Sequence, residues 1–188
     1  DLVTMRWWND LWLNESFATF MSYLSMTSAT RFTNGWQDFS TAIKNWAYRQ
    51  DQLVTTHPIA AVVNDTEETF LNFDGITYGK GASVLKQLVA AIGMEGFREG
   101  MRHYFRTHAY SNATLAQFMQ SLEAGSGQSL SEWSRAWLET PSLNTTRQSP
   151  GLSVSVSSSN GTPSNKPRMG PPFSRRVTRS LPMMSGGL

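Results

Sequence analysis

A mainly α-helical domain followed by a disordered C-terminal tail is the expectation for this 188-residue chain. Three observations carry it. Apolar and aromatic residues recur near every 3.6 positions through most of residues 1–146, the spacing that lines one face of a helix. Gly and Asn-Gly steps interrupt that pattern at helix-length intervals. Beyond about residue 146 large apolar residues become scarce, and residues 149–188 hold ten Ser and six of the eight Pro. Such a stretch cannot bury enough surface to offset its ordering entropy. The folded part is therefore expected over 1–146. A disordered Ser-, Pro-, Gly- and Arg-rich tail, native or non-native, is expected over 147–188.

The elements follow in chain order. Leu11, Phe17, Phe20, Met21 and Leu24 mark a first helix, and Asn34-Gly35 reads as a break. Trp36, Phe39, Ile43, Trp46 and Ala47 restart the pattern. His57-Pro58 favours an extended step. Val62-Val63 and Phe70-Leu71 read as short extended pieces, with turns at Asn64-Asp65 and Asp74-Gly75. Helix resumes over 79–92, with Val84, Leu85, Leu88 and Val89 on one face and Gly93 as its stop. Phe97, Met101, Tyr104 and Phe105 give the next helix. Thr114 with Gln117 predicts a capping box ahead of Leu115, Phe118, Met119 and Leu122. Gly125-Ser126-Gly127 reads as a loop, and Ser129 with Glu132 as a second capping box before Trp133, Trp137 and Leu138.

Composition narrows the function classes. All 14 acidic residues lie within 1–139, against ten Lys and Arg, whereas 140–188 holds six basic residues and no acid. The net charge of +2 describes neither part and is no nucleic-acid signal. The basic tail also lacks the interleaved aromatics that stack on bases. Cys is absent, which excludes disulfides and thiolate metal sites and is compatible with a reducing compartment. No run of 18 apolar residues offers a membrane span. The opening Asp1-Leu2-Val3-Thr4 has no initiator Met and no basic-then-apolar leader, so a segment of a longer protein is expected.

Two blocks carry candidate chemistry. In Trp7-Trp8-Asn9-Asp10-Leu11-Trp12-Leu13-Asn14-Glu15-Ser16-Phe17-Ala18, Glu15 sits among apolar and aromatic residues. An ionised carboxylate there needs a basic partner, a metal or a proton. Periodicity alone reads it as an exposed or capping residue, with Asp10 and Asn14 as helix-start polar groups. In Asn72-Phe73-Asp74-Gly75-Ile76-Thr77-Tyr78-Gly79-Lys80-Gly81-Ala82, the generic reading is a turn and a flexible helix entry. Lys80 between glycines suggests phosphate binding, but the P-loop spacing is missing.

Both strings, 63 positions apart from Glu15 to Tyr78, resemble segments of the M1 zinc aminopeptidases, gluzincins of the aminopeptidase N type, with an actinobacterial flavour. The family pattern is H-E-x-x-H, eighteen residues, then Glu within W-L-N-E-[GS]-F-A. Two His on one helix face and a Glu from a neighbouring helix ligate zinc, leaving a position for water. The resemblance implies part of a thermolysin-like catalytic domain over 1–146, with Glu15 as the third zinc ligand. The His pair and general base would lie upstream, the second His about five residues before Asp1. It implies further that Tyr78, in the family's Y-x-K-G-A segment, donates to the oxyanion of the tetrahedral intermediate. A role for Asp10 or Asn14 in orienting a ligand His stays open beside the helix-start reading. Thr19 departs from the acidic residue expected after Phe17-Ala18. His57, His103 and His108 fall outside any H-E-x-x-H and read as structural or exposed.

The leading expectation is thus a fragment of a zinc metalloaminopeptidase acting on peptide substrates, with Zn2+ as cofactor and two of its ligands absent from this chain. No nucleic-acid partner or membrane is expected, and the expected location is cytoplasmic. The alternative is an inactive remnant serving as a helical interaction module.

Overall fold

The computed structural model describes residues 2–142 in full, and the backbone alone of 144–148 and 154–158. Helix dominates the first of these. The longest element, α1 (Leu11–Ala29), runs through the middle of the packing. Its first turn is buried all along Leu11, Trp12 and Leu13, and Ser16 and Phe20 continue the face of Trp12 at four-residue spacing. After a break, α2 (Gly35–Asp38) passes through a π-helical stretch at Phe39–Lys44 into α3 (Asn45–Asp51). Next come α4 (Thr66–Leu71), a second π-helical turn at Ile76–Lys80, and α5 (Gly81–Ile92), which packs on α1.

Helices α6 (Met94–His108) and α7 (Leu115–Ser126) form an antiparallel pair. Their backbones almost touch: a Cβ added at Gly125 would collide with the backbone of Gly100. This close approach keeps Gly125 inside α7, where the sequence reading expects a loop. Gly127 then ends the helix in a left-handed conformation, φ 68°. Helix α8 (Ser131–Trp137) follows. The expected capping box of Thr114 and Gln117 is present. That of Ser129 and Glu132 is not: α8 begins after Leu130, whose amide donates instead to Glu123 Oε1 at 2.5 Å.

One core unites these pieces. Trp12, Phe20, Leu85, Leu88, Phe118, Leu122 and Leu138 are buried in it. Rings meet edge to face, as in Trp12 with Phe118 and Phe20 with Phe97. Two short strands go beyond the helical expectation. β1 (Val3–Met5) pairs in parallel with β2 (Ser111–Ala113), Val3 opposite Ser111 and Met5 opposite Ala113. This pairing ties the start of α1 to the α6–α7 connection.

Two further expectations need correcting. Phe70-Leu71 is helical, because Asp65 caps α4 by accepting from the Glu68 amide while Glu68 reaches back to the Asn64 amide. Val62-Val63 forms no paired strand; Val63 is buried, and its carbonyl accepts from Trp7 Nε1 at 2.9 Å. Further along, β3 (Asn144–Gln148), which begins in the part expected to fold, pairs antiparallel with β4 (Val154–Ser158). Alternation of Val and Ser and the adjacent Thr145-Thr146 favour strand there. The rest of 147–188 lies outside the described residues.

Candidate active site

Glu15 stands in the second turn of α1, half-buried. Tyr78 stands in the π-helical turn that leads into α5, also half-buried. The two side chains meet across the seam between these elements. Burial foremost raises the Tyr78 phenol above its ordinary pKa, and a hydrogen bond to Glu15 and the charge of that carboxylate raise it further. Trp46 of α3 stacks on the tyrosine ring, centroids 6.3 Å apart.

The neighbours of both residues fix the seam. Ser16 Oγ, fully buried, donates to the carbonyl of Thr77, so the residue after Glu15 grips the residue before Tyr78. Gly81 permits the approach, since a Cβ there would run into Ser16 Oγ. Below the turn, Asp74 Oδ1 accepts from the amides of Ile76 (2.9 Å) and Thr77 (3.1 Å). Asp74 Oδ2 lies 3.1 Å from His57 Nε2. Gln50 Oε1 accepts from the Gly75 amide. Lys80 Nζ pairs with Asp51 at 3.0 Å and donates to the Ser142 carbonyl at 2.9 Å. That lysine is thus committed inside the protein and is not offered to a phosphate.

Other candidates from the sequence go elsewhere. Asp10 Oδ2 accepts from the Leu115 amide at 3.0 Å, serving the start of α7 and making no cap on α1. Burial raises its pKa, partly offset by that amide. Its charge also adds to burial in pushing Tyr104 up to about 12. Asn14 Nδ2 lies 3.2 Å from Met5 Sδ. Thr19 bonds back to the Glu15 carbonyl at 2.8 Å, as a helical Thr commonly does. His103 Nδ1 contacts Ser121 Oγ, and His108 packs on the Tyr104 ring. None of the three histidines is gathered with Glu15.

Among the described residues no group of three or more His, Asp or Glu side chains is placed to hold a metal. Glu15 offers one carboxylate, where a catalytic zinc takes three protein ligands. These residues therefore do not fit a zinc ion by themselves. An open groove of about 930 Å3, lined by Arg6, Leu115, Met119 and Arg135 among others, includes neither Glu15 nor Tyr78. Its walls carry the carboxylates of Asp10, Glu123 and Glu139 and the guanidinium groups of Arg6 and Arg135. Among the described residues no helix is long and apolar enough to cross a membrane.

Sequence reasoning gave no signal for Ser16, Gln50 or Asp51, read His57 as structural or exposed, and read Asp74 as a turn residue. Only Asp74 left a local trace, as a turn residue whose carboxylate binds amides two and three positions on. The others act over separations of 17 to 61 positions, which no periodicity records.

Comparison with known proteins gives a consistent result. Residues 1–137 match the peptidase family M1 domain. Aminopeptidase N of Streptomyces lividans is 52% identical over 149 residues, covering 78% of this chain and 17% of that protein. Probable aminopeptidase 2 of Sulfurisphaera tokodaii is 49% identical over 138 residues, 73% of this chain and 18% of its own length. Leucyl aminopeptidase of Saccharolobus solfataricus is 40% identical over 157 residues, 84% and 19% respectively. The chain spans less than a fifth of the length of these relatives.

Proposed function

The chain belongs to peptidase family M1, and on that premise we propose that it supplies Glu15 and Tyr78 to the active site of a zinc-dependent aminopeptidase. The observation that carries this reading is the seam that sets two blocks 63 positions apart side by side: the Ser16 hydroxyl bonds the Thr77 carbonyl, and the Glu15 carboxylate is near enough to help raise the Tyr78 pKa. Relatives named as aminopeptidases support the substrate class, peptides that lose N-terminal residues.

In the full-length protein, Glu15 would serve as one zinc ligand, with further ligands from outside the described residues. Zinc, when bound, supplies a Lewis acid and lowers the pKa of water. This chain's own residues do the rest of what is assigned here. Tyr78 holds its proton firmly, because burial and Glu15 both disfavour the phenolate. A protonated phenol can donate to the oxygen on which charge develops in the transition state. Trp46 limits the swing of the ring by stacking on it.

The test is zinc retention in the full-length protein. Glu15→Ala is expected to lower bound zinc, measured by mass spectrometry after dialysis against a weak chelator, with secondary structure unchanged. Full zinc occupancy in that variant would remove Glu15 from the ligand set. The 188-residue chain by itself is expected to bind zinc weakly and to hydrolyse no aminoacyl substrate, since it holds one ligand of three. Robust zinc-dependent turnover by that chain would overturn these assignments.

A further inference from the structure

His57 and Asp74 have no part in the chemistry just described, yet they hold the turn that carries it. Asp74 Oδ1 takes the amides of Ile76 and Thr77, and the Asp74 carbonyl takes the amide of Tyr78 at 3.0 Å. The register of the turn therefore depends on where Asp74 sits. The other carboxylate oxygen of Asp74 meets His57 Nε2 at 3.1 Å, and His57 Nδ1 lies 2.7 Å from the carbonyl of Pro58. Both ring nitrogens face groups that only accept. The arrangement suits an imidazolium donating twice, once to the carboxylate and once to the backbone. The side chains are 17% and 12% exposed, so neither is free to wander.

Stability alone gives little reason to build such a pair, because desolvation offsets most of the attraction between buried charges. Orientation gives a better one. A misplacement of about 1 Å at a reacting group costs on the order of a hundredfold in rate. Tyr78 is four residues from Asp74, on a turn whose first amides Asp74 fixes. Both nitrogens of His57 are already engaged, so it does not reach substrate itself.

We propose that His57, acting through Asp74, is a positioning residue that sets where the Tyr78 hydroxyl stands. This rests on the reading of Tyr78 as the oxyanion donor, and the test separates the two. In the full-length protein, kcat and KM are measured for Tyr78→Phe, His57→Phe and the double variant. His57→Phe is expected to lower kcat by roughly tenfold to a hundredfold with KM within about twofold. In the Tyr78→Phe background the same change is expected to cost less than about twofold, because its effect runs through the missing hydroxyl. His57→Gln, which keeps one donor toward Asp74, is expected to recover part of the loss. Amide exchange at Ile76 and Thr77 is expected to quicken by at least about tenfold in His57→Phe.

Equal losses in both backgrounds, or an unchanged kcat in His57→Phe, would overturn the positioning role while leaving Tyr78 in place. An unchanged kcat in Tyr78→Phe alone would remove the oxyanion role and the positioning role with it. If His57→Phe does not fold, the same cycle with His57→Gln decides.

Discussion

Single side chains in this chain are held by partners far away in sequence, and substitutions there should show it. Asp51 is almost fully buried against Lys80, and also accepts from Thr56 Oγ1 at 2.8 Å. Lys80→Met would strand the Asp51 carboxylate, an outcome that costs about 3–5 kcal/mol when one partner of a buried pair is lost. Urea unfolding should show that loss in the midpoint. His57 gives a pH signature. Burial opposes its charge, but the bonds to Asp74 and Pro58 and the charge of Asp74 outweigh burial and the repulsion of Lys80, raising its pKa above 6.5. A raised folded-state pKa contributes stability that is complete below the unfolded value and lost as pH climbs through the folded one. The difference in Tm between the protein and His57→Gln should therefore be largest below the ordinary histidine value of 6.5 and shrink as pH climbs above it. A difference that grows with pH would mean His57 is neutral in the folded protein. Glu15 stands out at this scale only through the string around it, since one carboxylate among apolar residues has several explanations. His57 was legible only as a histidine outside the metal motif.

Elements were read more reliably than side chains, because periodicity is a local property. Helices α1, α5, α6 and α7 stand where apolar spacing predicts them. The misreadings have local physical causes. Phe70 and Leu71 look like a strand pair, but the Asp65 cap upstream closes a helix over them, and both side chains end exposed. The π-helical turn at Ile76–Lys80 starts helix earlier than residue 79, because Asp74 satisfies the first amides. Gly125 reads as loop, yet it is the contact point of α7 with α6. Gly125→Ala should drive a methyl into the Gly100 backbone and destabilise by about 1–3 kcal/mol, seen as a lower Tm. Thr114→Ala should remove half of the capping box of α7 and cost about 1 kcal/mol by the same measurement. Should Gly125→Ala prove the milder of the two, the α6–α7 backbone contact is looser than drawn.

At the scale of the molecule, the fold brings two distant blocks to one seam. The α1 backbone presents Glu15, and the α5 entry presents Tyr78. The Ser16–Thr77 bond beside them and the α1–α5 packing below hold both in one frame. The β1–β2 pairing that fixes the start of α1 has no sequence signal, since a three-residue parallel pair 108 positions apart is set by packing. The helical class and the family resemblance were therefore legible, while the contacts that bring the two strings together were not. Family membership says which reaction to test, and the seam says which atoms to test. The most direct measurement is kcat of Tyr78→Phe in the full-length protein, at saturating aminoacyl substrate. Loss of one preorganised oxyanion donor predicts a fall of about a hundredfold to a thousandfold with KM little changed. A kcat equal to that of the unmodified protein would contradict it.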